Sequence, residues 1–231
     1  MGKGSVMSRP FALPELFFIL SAVRWTIALS LIAMVCGGVV GMAIAMMRTS
    51  QSKAIRLIAA GYIQIFQGTP VLMQLFIVYY GVAVIFNVQI DPWPAVILAF
   101  TLYSGAFLGE IWRGSIEAIP KSQWEAARAL ALRPFDQMMS VILPQAFRIS
   151  IPPTVGFLVQ LIKSTSIAAI IGFVELTRAG QLMTNATYEP QVIYPIVAVL
   201  YFAMCWPLSV LSQNLEKRID RSLGIVRKLQ H

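Results

Sequence analysis

Residues that perform enzyme chemistry are scarce in this chain of 231 residues. The single histidine is His231, and the two cysteines, Cys36 and Cys205, lie far apart in apolar segments. Isolated thiols of this kind predict neither a disulfide nor a metal site. The sequence also lacks a Ser/His/Asp set and any G-x-x-x-x-G-K-[ST] phosphate loop. We therefore expect no enzyme activity in the chain by itself, no metal and no bound cofactor.

Charge is scarce as well, since 12% of the residues are charged and 58% are hydrophobic. This balance predicts a polytopic membrane protein built as one helical bundle, without an appended soluble domain. The net charge of +8 could suggest a nucleic-acid partner. However, the basic residues lie in loops between apolar stretches, which is the pattern of membrane topology, so we expect no nucleic acid. The first 20 residues lack the pattern of a cleaved signal peptide, and none is expected.

The apolar stretches predict an all-α fold with five transmembrane helices. Residues Trp25 to Met47 carry no charge, and about 23 helical residues rise about 34 Å, enough to cross a bilayer. Gly37, Gly38 and Gly41 predict close packing of this helix against a neighbouring helix or protomer. The predicted spans are about 22–47, 56–86, 94–112, 149–172 and 191–213. The predicted regions are an interfacial segment 1–20, a membrane domain 21–215 and a basic cytoplasmic tail 216–231.

The second apolar stretch is longer than a bilayer requires, at roughly 51 Å if it forms one helix. It contains Gly68-Thr69-Pro70, followed by Gln74. Pro70 disfavours a helical Thr69 and frees a carbonyl group, so a kink or break is predicted here. Two interpretations stay open: a broken helix that lines a cavity, or a structural kink in one long tilted helix.

The fourth span contains polar residues that are costly in a membrane. Pro152 and Pro153 are expected in its first turn, where proline is tolerated. Lys163 follows about 21 Å along the helix from Ile149, and a charge at that depth costs several kcal/mol unless it meets water or a partner. Two interpretations stay open. In the first, the Lys163 ammonium group is bonded by helix carbonyls or by a neighbouring protomer. In the second, the residues around it line a translocation path. By contrast, Glu110 and Arg113 near the membrane edge are explained by a local pair or by snorkelling.

A polar, amphipathic stretch, 121–145, interrupts the apolar chain. Pro120 and Ser122 favour a helix start and Pro134 a stop, which predicts a helix of about three turns over about 122–133. Its expected contact face consists of Trp124, Ala127, Leu130 and Ala131. A short exposed helix of this kind docks on a partner or lies on lipid headgroups.

The spacing within this stretch resembles the EAA loop of ATP-binding cassette (ABC) importer permeases. The matching residues are Glu125-Ala126-Ala127, Ala131 and Leu143-Pro144. The family usually has Gly at position 131 and Ile at position 141, where this chain has Ala131 and Val141. In the family the loop forms a short helix that inserts into a groove of a separate ATPase subunit.

Two further motifs lie on either side of this loop, in the order found in permeases of polar amino-acid uptake systems. Gly68-Thr69-Pro70 resembles the end of E-x-F-R-G-T-P, although Gln64 and Gln67 replace the acid and the base. Ile162-Lys163-Ser164-Thr165-Ser166 resembles L-K-x-T-S. The stretch 175–181, placed in the loop before the last span, is also close to the family pattern. The chain is therefore identified as a member of the polar amino-acid permease family of the histidine, glutamine and arginine type.

This resemblance implies a type I importer, MetI-like architecture that works by alternating access. It implies three protein partners: an ABC ATPase that holds ATP and Mg²⁺, a second permease chain, identical or paralogous, and an extracytoplasmic solute-binding protein. The implied surroundings are membrane lipid, and the implied cargo is a polar amino acid. The expected coupling residues are Trp124, Glu125, Ala126, Ala127, Leu130, Ala131, Leu143 and Pro144. The expected pathway residues are Gln67, Gly68, Thr69, Gln74, Ser104, Gln160, Lys163, Ser164, Thr165 and Ser166.

The distribution of basic residues predicts the orientation in a bacterial inner membrane. With five spans, 13 of the 18 basic residues, counted along the sequence, lie on the side of the EAA loop. That side is expected to be cytoplasmic, with the N-terminus outside and the C-terminus in the cytoplasm. No acid lies deep in a predicted span, which favours a neutral or acidic amino acid. A partner chain that neutralised Lys163 would cancel this inference.

Two other classes of membrane protein remain as alternatives. An ion-coupled secondary transporter usually has an inverted repeat and its own ion site. The sequence shows no internal symmetry, and Lys163 is its one ionisable candidate within a span. A non-transporting scaffold or channel subunit would not explain a polar cluster together with a docking helix.

Overall fold

The structure is a computed structural model that describes residues 11–88 and 91–223. The described residues form eight helices joined by short turns. They are α1 Leu13–Arg48, α2 Lys53–Gly68, α3 Val71–Phe86, α4 Pro92–Glu117, α5 Lys121–Ala129, α6 Pro134–Ile171, α7 Leu176–Thr187 and α8 Pro190–Leu223. Helix α3 contains a π-helical segment at Ile77–Gly81. Helix α6 contains one at Gln137–Ile142 and ends in the 3₁₀ segment Thr165–Ile171.

Among the described residues, α1, α4, α6 and α8 are each long and apolar enough to cross a membrane. The bent pair α2 and α3 makes a fifth span if it is counted as one. The five predicted spans therefore correspond to these elements, but their bounds differ. Helix α1 begins at Leu13 rather than near residue 22, because Pro14 occupies its first turn and the Glu15 side chain accepts a hydrogen bond from the Ala12 N–H at 3.1 Å.

The predicted terminal segments are only partly described. Residues 13–20 of the predicted interfacial segment are the first turns of α1, and the start of the predicted tail is the end of α8 at Leu223. Residues 1–10 of the former and 224–231 of the latter, with Arg227 and Lys228, lie outside the described part of the chain.

The second predicted span, 56–86, is two helices that meet at an angle of 102°. The interpretation as one long tilted helix is wrong. Thr69 is extended, with φ −116° and ψ 143°, as steric contact with the ring of Pro70 requires. The Gln74 Nε2 atom donates to the carbonyl oxygens of Phe66, at 2.8 Å, and Thr69, at 3.0 Å. These bonds satisfy two of the carbonyl groups that the break leaves without helical partners.

The centre of the bundle is the crossing of α1 and α4. A Cβ atom built on Gly37 would lie 2.4 Å from the Ser104 Cβ, and one on Gly41 would lie 2.9 Å from the Leu108 Cβ. Only glycine permits this approach, so the prediction of close packing is confirmed for Gly37 and Gly41, with a neighbouring helix of the same chain. A Cβ atom on Gly38 would lie in ordinary contact, 3.5 Å from the Trp112 ring. The pairing of 37 with 104 and of 41 with 108 shows that the two helices run in parallel.

Helix α6 begins much earlier than the predicted fourth span. Pro152 and Pro153 lie well inside it rather than in its first turn, because the chain re-enters the helix at Pro134, directly after the EAA helix. The stretch 175–181 is also helical rather than a loop, since α7 begins at Leu176.

Contacts between helices place the basic segments at one end of the bundle. Trp112, near the end of α4, donates to Thr154 of α6 at 3.0 Å. Ser212, in the C-terminal half of α8, donates to the carbonyl of Pro152 at 2.8 Å. Further along α6, Gln160 donates to Tyr103 of α4, and Val159 packs with Cys205 of α8. Later residues of α6 thus meet earlier residues of α4 and α8, so α6 is antiparallel to both. We call this the basic end: it carries the turn between α1 and α2, helix α5, and the C-terminal part of α8.

Candidate coupling loop and translocation path

The EAA helix α5 is fastened to the chain's own bundle by its inner face. Ala127 is only 2% exposed, and Trp124 packs against a buried cluster of four residues. These are Ile116 in the last turn of α4, Ile119 just after that helix, and Ile142 and Ala146 in the first part of α6. The buried Gln137 side chain donates to the carbonyl of Trp124 at 3.1 Å. Helix α5 is therefore in direct contact with both α4 and α6.

The outer face of α5 differs from the face that the sequence predicts. Glu125 and Ala126 are exposed. Beyond the helix, Leu130 is 75% exposed, and Phe135, after the turn, is 69% exposed. The expectation of one shared contact face for Trp124, Ala127, Leu130 and Ala131 is wrong, because the first two residues point into the bundle. The residues available to a partner on α5 and the following turn include Glu125, Ala126, Leu130 and Phe135.

Helix α5 also ends earlier than residue 133. It stops at Ala129 in a Schellman arrangement, in which Leu132 N–H donates to Ala127 O at 3.2 Å and Ala131 N–H to Arg128 O at 2.9 Å. Ala131 has φ 53°, in the left-handed region. This is the position at which glycine is strongly preferred, and it is where the family usually has glycine.

The last two predicted coupling residues lie on the return from the loop. Leu143 is partly buried against the cluster beneath Trp124, and Pro144 is exposed. Both begin the long α-helical part of α6, Leu143–Ser164, directly after the π-helical segment Gln137–Ile142. A proline cannot donate to the preceding turn, and a π-helical turn is a usual way to accommodate such a lost bond.

The predicted pathway residues differ in their exposure. Ser104 and Thr165 are fully buried, Ser104 at the α1 and α4 crossing, and Gln74 is occupied at the bend. The exposed members are Gln67, Gly68, Thr69, Gln160 and Lys163. Ser164 and Ser166 are partly buried. The role of these residues in a path stays a prediction.

One polar contact joins the predicted path to the aromatic core. The Gln160 Nε2 atom donates to the Tyr103 hydroxyl at 3.0 Å. The Tyr103 ring lies 4.6 Å from that of Phe107 and 6.0 Å from that of Phe157, centroid to centroid. One turn further on, Lys163 is exposed on the surface of α6. This surface of α6 combines amide and ammonium groups outside an aromatic core.

The Arg113 guanidinium is paired with the carboxylates of Glu110 and Glu117 on the same helix. The prediction of a local pair at the end of α4 is confirmed. The charges of Arg113, Glu110 and Glu117 are thus paired within α4, and a bound ligand is not required to explain them.

A residue that the sequence analysis did not single out is Glu175, which is fully buried. Its carboxylate accepts from Thr177 N–H and Arg178 N–H, each at 2.9 Å, and from the Tyr201 hydroxyl at 2.8 Å. Burial raises the pKa of Glu175, while these hydrogen bonds act in the opposite direction. Thr26 accepts from Leu176 N–H at 3.1 Å. Glu175 thus caps α7 between α1 and α8.

A helical signal at this point was present in the sequence. Leu176, Ala179, Gly180 and Met183 recur at helical spacing after an acidic residue. The stretch could therefore have been predicted as a helix with an N-cap. That the cap would be buried could not, since its burial depends on α1 and α8.

A family model decides the class of the protein. The model for the inner membrane component of binding-protein-dependent transport systems matches residues 37–223. The chain belongs to this family. The permease is thus a membrane component that is not itself the catalytic part of its transporter.

Two relatives of the permease are named after different transported compounds. It is 38% identical over 200 residues to the L-cystine transport system permease protein TcyB of Bacillus subtilis, covering 86% of this chain and 85% of that protein. It is 34% identical over 200 residues to the nopaline transport system permease protein NocM of Agrobacterium fabrum, with 83% of each covered.

Solved structures agree with the architecture. A chain in the crystal structure of an amino acid ABC transporter with histidines superposes with a TM-score of 0.82 at 34% identity, covering 87% of this permease and 94% of that chain. An inward-facing structure of the MetNI methionine ABC transporter gives a TM-score of 0.77 over 90% and 99% of the two chains. At 18% identity, this second likeness shows the fold alone.

These findings confirm the predicted class: a transmembrane permease subunit of an amino-acid ABC importer with the type I importer fold. Nothing in them supports a secondary transporter or a scaffold.

Proposed function

We propose that this permease imports a polar amino acid by alternating access and is driven by a separate ATPase that binds the outer face of α5. The observation that carries this proposal is the two-sided EAA helix. Its inner residues, Trp124 and Ala127, are packed into the bundle, whereas Glu125, Ala126 and Leu130 are left exposed. A short helix with one face anchored and one face free is suited to receive a partner's motion.

The anchoring of α5 supplies the mechanical link. The cluster beneath Trp124 combines residues from the end of α4 and the start of α6. ATP binding, with Mg²⁺, would close the ATPase pair and displace α5. Because interiors are close-packed, α4 and α6 would move with it and rock the bundle between outward-open and inward-open states.

The assembly around the permease follows from this role. The basic end would face the cytoplasm, where the ATPase lies, with the N-terminus outside and the C-terminus in the cytoplasm. A solute-binding protein would deliver the cargo at the opposite end. A second permease chain, identical or paralogous, would complete the path. Exposure of Gln160 and Lys163 on α6 supports this arrangement, because a charged side chain at membrane depth requires water or a partner.

The cargo is proposed from the chemistry of these path residues. They offer amides, hydroxyls and one ammonium group, which favours a neutral or acidic amino acid over a cationic one. The relatives' named cargoes, L-cystine and nopaline, differ at similar identity. The names of the relatives therefore do not identify which compound this permease carries.

The coupling role is tested by charge substitution on the outer face of α5. We expect Ala126→Asp to abolish co-purification of the ATPase and ATP-dependent uptake of labelled amino acids in proteoliposomes. A buried partner interface does not tolerate an unpaired carboxylate. Gln51→Asp, which is exposed in the turn between α1 and α2, is the matched control and should leave both unchanged.

The test should not use Ala127→Asp, because Ala127 is buried in the bundle and the change would damage the loop itself. If Ala126→Asp and Gln51→Asp both retain the ATPase and full uptake, α5 is not the coupling element. Glu125→Ala reports separately on the acidic residue of the motif.

A further inference from the structure

A cavity of about 570 Å³ lies at the basic end, between α1, α4 and α6. Its volume falls within the range of ligand-binding pockets in proteins. The wall is formed mainly by large apolar side chains. They include Met42, Met46, Trp112, Met138, Phe147 and Val155.

The few polar groups in the wall are already bonded within the chain. The Thr49 hydroxyl donates to Ala45 O and Met46 O, both at 3.1 Å, and the Ser150 hydroxyl donates to Phe147 O at 2.8 Å. The Thr154 hydroxyl accepts from Trp112 at 3.0 Å. A polar amino acid entering the cavity would lose its water without gaining partners. The cavity therefore suits a hydrocarbon chain and not the cargo.

Two arginines are next in sequence to lining residues at this end. Arg48 precedes Thr49 at the end of α1, and its Nε is buried without a hydrogen-bond partner among the described residues. Arg148 follows Phe147 on α6 and is exposed. The Glu110 carboxylate on the neighbouring α4 is bonded to Arg113. Arginine is the residue best suited to a phosphate group.

We propose that this cavity holds an acyl chain of an anionic phospholipid whose phosphate binds Arg48 and Arg148. The apolar wall fits the chain, and the adjoining arginines fit the headgroup, a pairing expected of an anionic lipid at a cytoplasmic leaflet. That the leaflet is cytoplasmic rests on the orientation proposed above. The site itself does not depend on which amino acid is carried.

The bound lipid would contact the coupling loop directly. Met138, Met139 and Leu143 lie on the return from α5 and form part of the wall, and Leu143 also packs on the cluster beneath Trp124. The lipid therefore lies where α1 meets the segment that moves with the ATPase. ATP-driven uptake should depend on anionic lipid in the vesicles.

Native mass spectrometry of the transporter, purified from bacterial membranes in mild detergent with its co-purifying subunits, tests this site. Phosphatidylglycerol should remain bound to the unmodified protein. Arg148→Gln, which removes a headgroup contact, should weaken lipid binding about tenfold, the effect of losing a charge-assisted hydrogen bond. Val155→Trp, which fills the space of the acyl chain, should lower the occupancy as well.

Matched controls lie away from the cavity. Val39→Trp, at a residue of α1 that is 71% exposed and is not part of the wall, and Arg221→Gln on α8 should retain the lipid. Arg148 is exposed, so Arg148→Gln keeps the test decisive if Val155→Trp does not fold.

Two results would overturn the proposal. Equal phosphatidylglycerol retention in all four variants would mean non-specific surface lipid only. Absence of phosphatidylglycerol from the unmodified protein would rule out the lipid site. Disulfide-linked dimers of Met46→Cys, in a background without Cys36 and Cys205, would then make the cavity an interface between two permease chains.

Discussion

At the scale of single residues, Ala131 carries a conformational cost that the family's usual glycine avoids. Its φ of 53° places an L-residue in the left-handed region, which costs roughly 1–2 kcal/mol. The sequence shows the departure from glycine, but only the backbone angle shows that the departure matters. It occurs where α5 ends and the exposed Leu130 is presented.

We expect Ala131→Gly to stabilise the permease by about 0.5–1 kcal/mol, since relief of the strained φ exceeds the added flexibility of glycine. The unfolding midpoint of the purified protein should rise. Ala129→Gly, two residues earlier in the last helical turn, is the matched control and should lower the midpoint. A fall with both substitutions would contradict the assigned conformation.

The buried carboxyl of Glu175 predicts a dependence of stability on pH. Burial raises its pKa above the ordinary value in the folded protein. A group with a raised folded pKa contributes stability that is complete below its unfolded pKa, near 4.3. That contribution is lost as the pH rises through the folded pKa.

Glu175→Gln keeps one acceptor oxygen, enough for one of the Thr177 and Arg178 N–H groups, and removes the titration. We expect it to flatten the loss of thermal stability as pH rises above about 4.3. Unfolding midpoints of the unmodified protein and the variant across this window provide the measurement. Parallel curves would show that Glu175 does not titrate in the window.

At the scale of elements, the bend between α2 and α3 depends on one side chain. Pro70 breaks the helix, and the Gln74 amide bonds the carbonyls that are left. The pattern Gly68-Thr69-Pro70 predicts a break or a kink. It could not identify Gln74 as the residue that holds the break, because the donor comes from the following helix.

We expect Gln74→Leu to destabilise the permease by about 1–3 kcal/mol, the cost of leaving buried carbonyl groups without a donor. Gln64→Leu, at an exposed position of α2, is the control and should change the unfolding midpoint little. Loss of uptake at unchanged stability in Gln74→Leu would instead assign this amide to the translocation path.

The same distinction applies to the EAA helix. Its existence follows from Pro120, Pro134 and the polar stretch between them. Which face is buried could not be read from helical periodicity, because both faces carry alanines. The buried cluster from α4 and α6 decides it, drawing Trp124 and Ala127 inward and leaving Ala126 exposed.

At the scale of the whole molecule, the parallel α1 and α4 and the antiparallel α6 place the basic segments at one end. The count of basic residues along the sequence reaches the same grouping of loops. The membrane side of that end stays a prediction from the positive-inside rule.

Cysteine labelling in a background without Cys36 and Cys205 tests this orientation. We expect Val88→Cys, beyond α3, to react with a membrane-impermeant maleimide in intact spheroplasts. Ser52→Cys, in the basic turn, should react only after permeabilisation. Both residues are exposed, so access to the reagent is matched. The reverse pattern would invert the proposed topology.

The sequence by itself determined that this protein is an all-α membrane permease of five spans with an EAA loop, because hydrophobic length, basic loops and motif order are properties of neighbouring residues. The tertiary structure decided the 102° bend at Pro70, the inward turn of Trp124 and Ala127, and the burial of Glu175. It also decided which polar residues form hydrogen bonds within the chain, as Gln74 does, and which are exposed, as Lys163 is. The angle of the bend depends on how the Gln74 amide bonds the carbonyl groups freed at Pro70. The burial of Trp124, Ala127 and Glu175 depends on contacts between helices far apart in sequence, which no local pattern encodes.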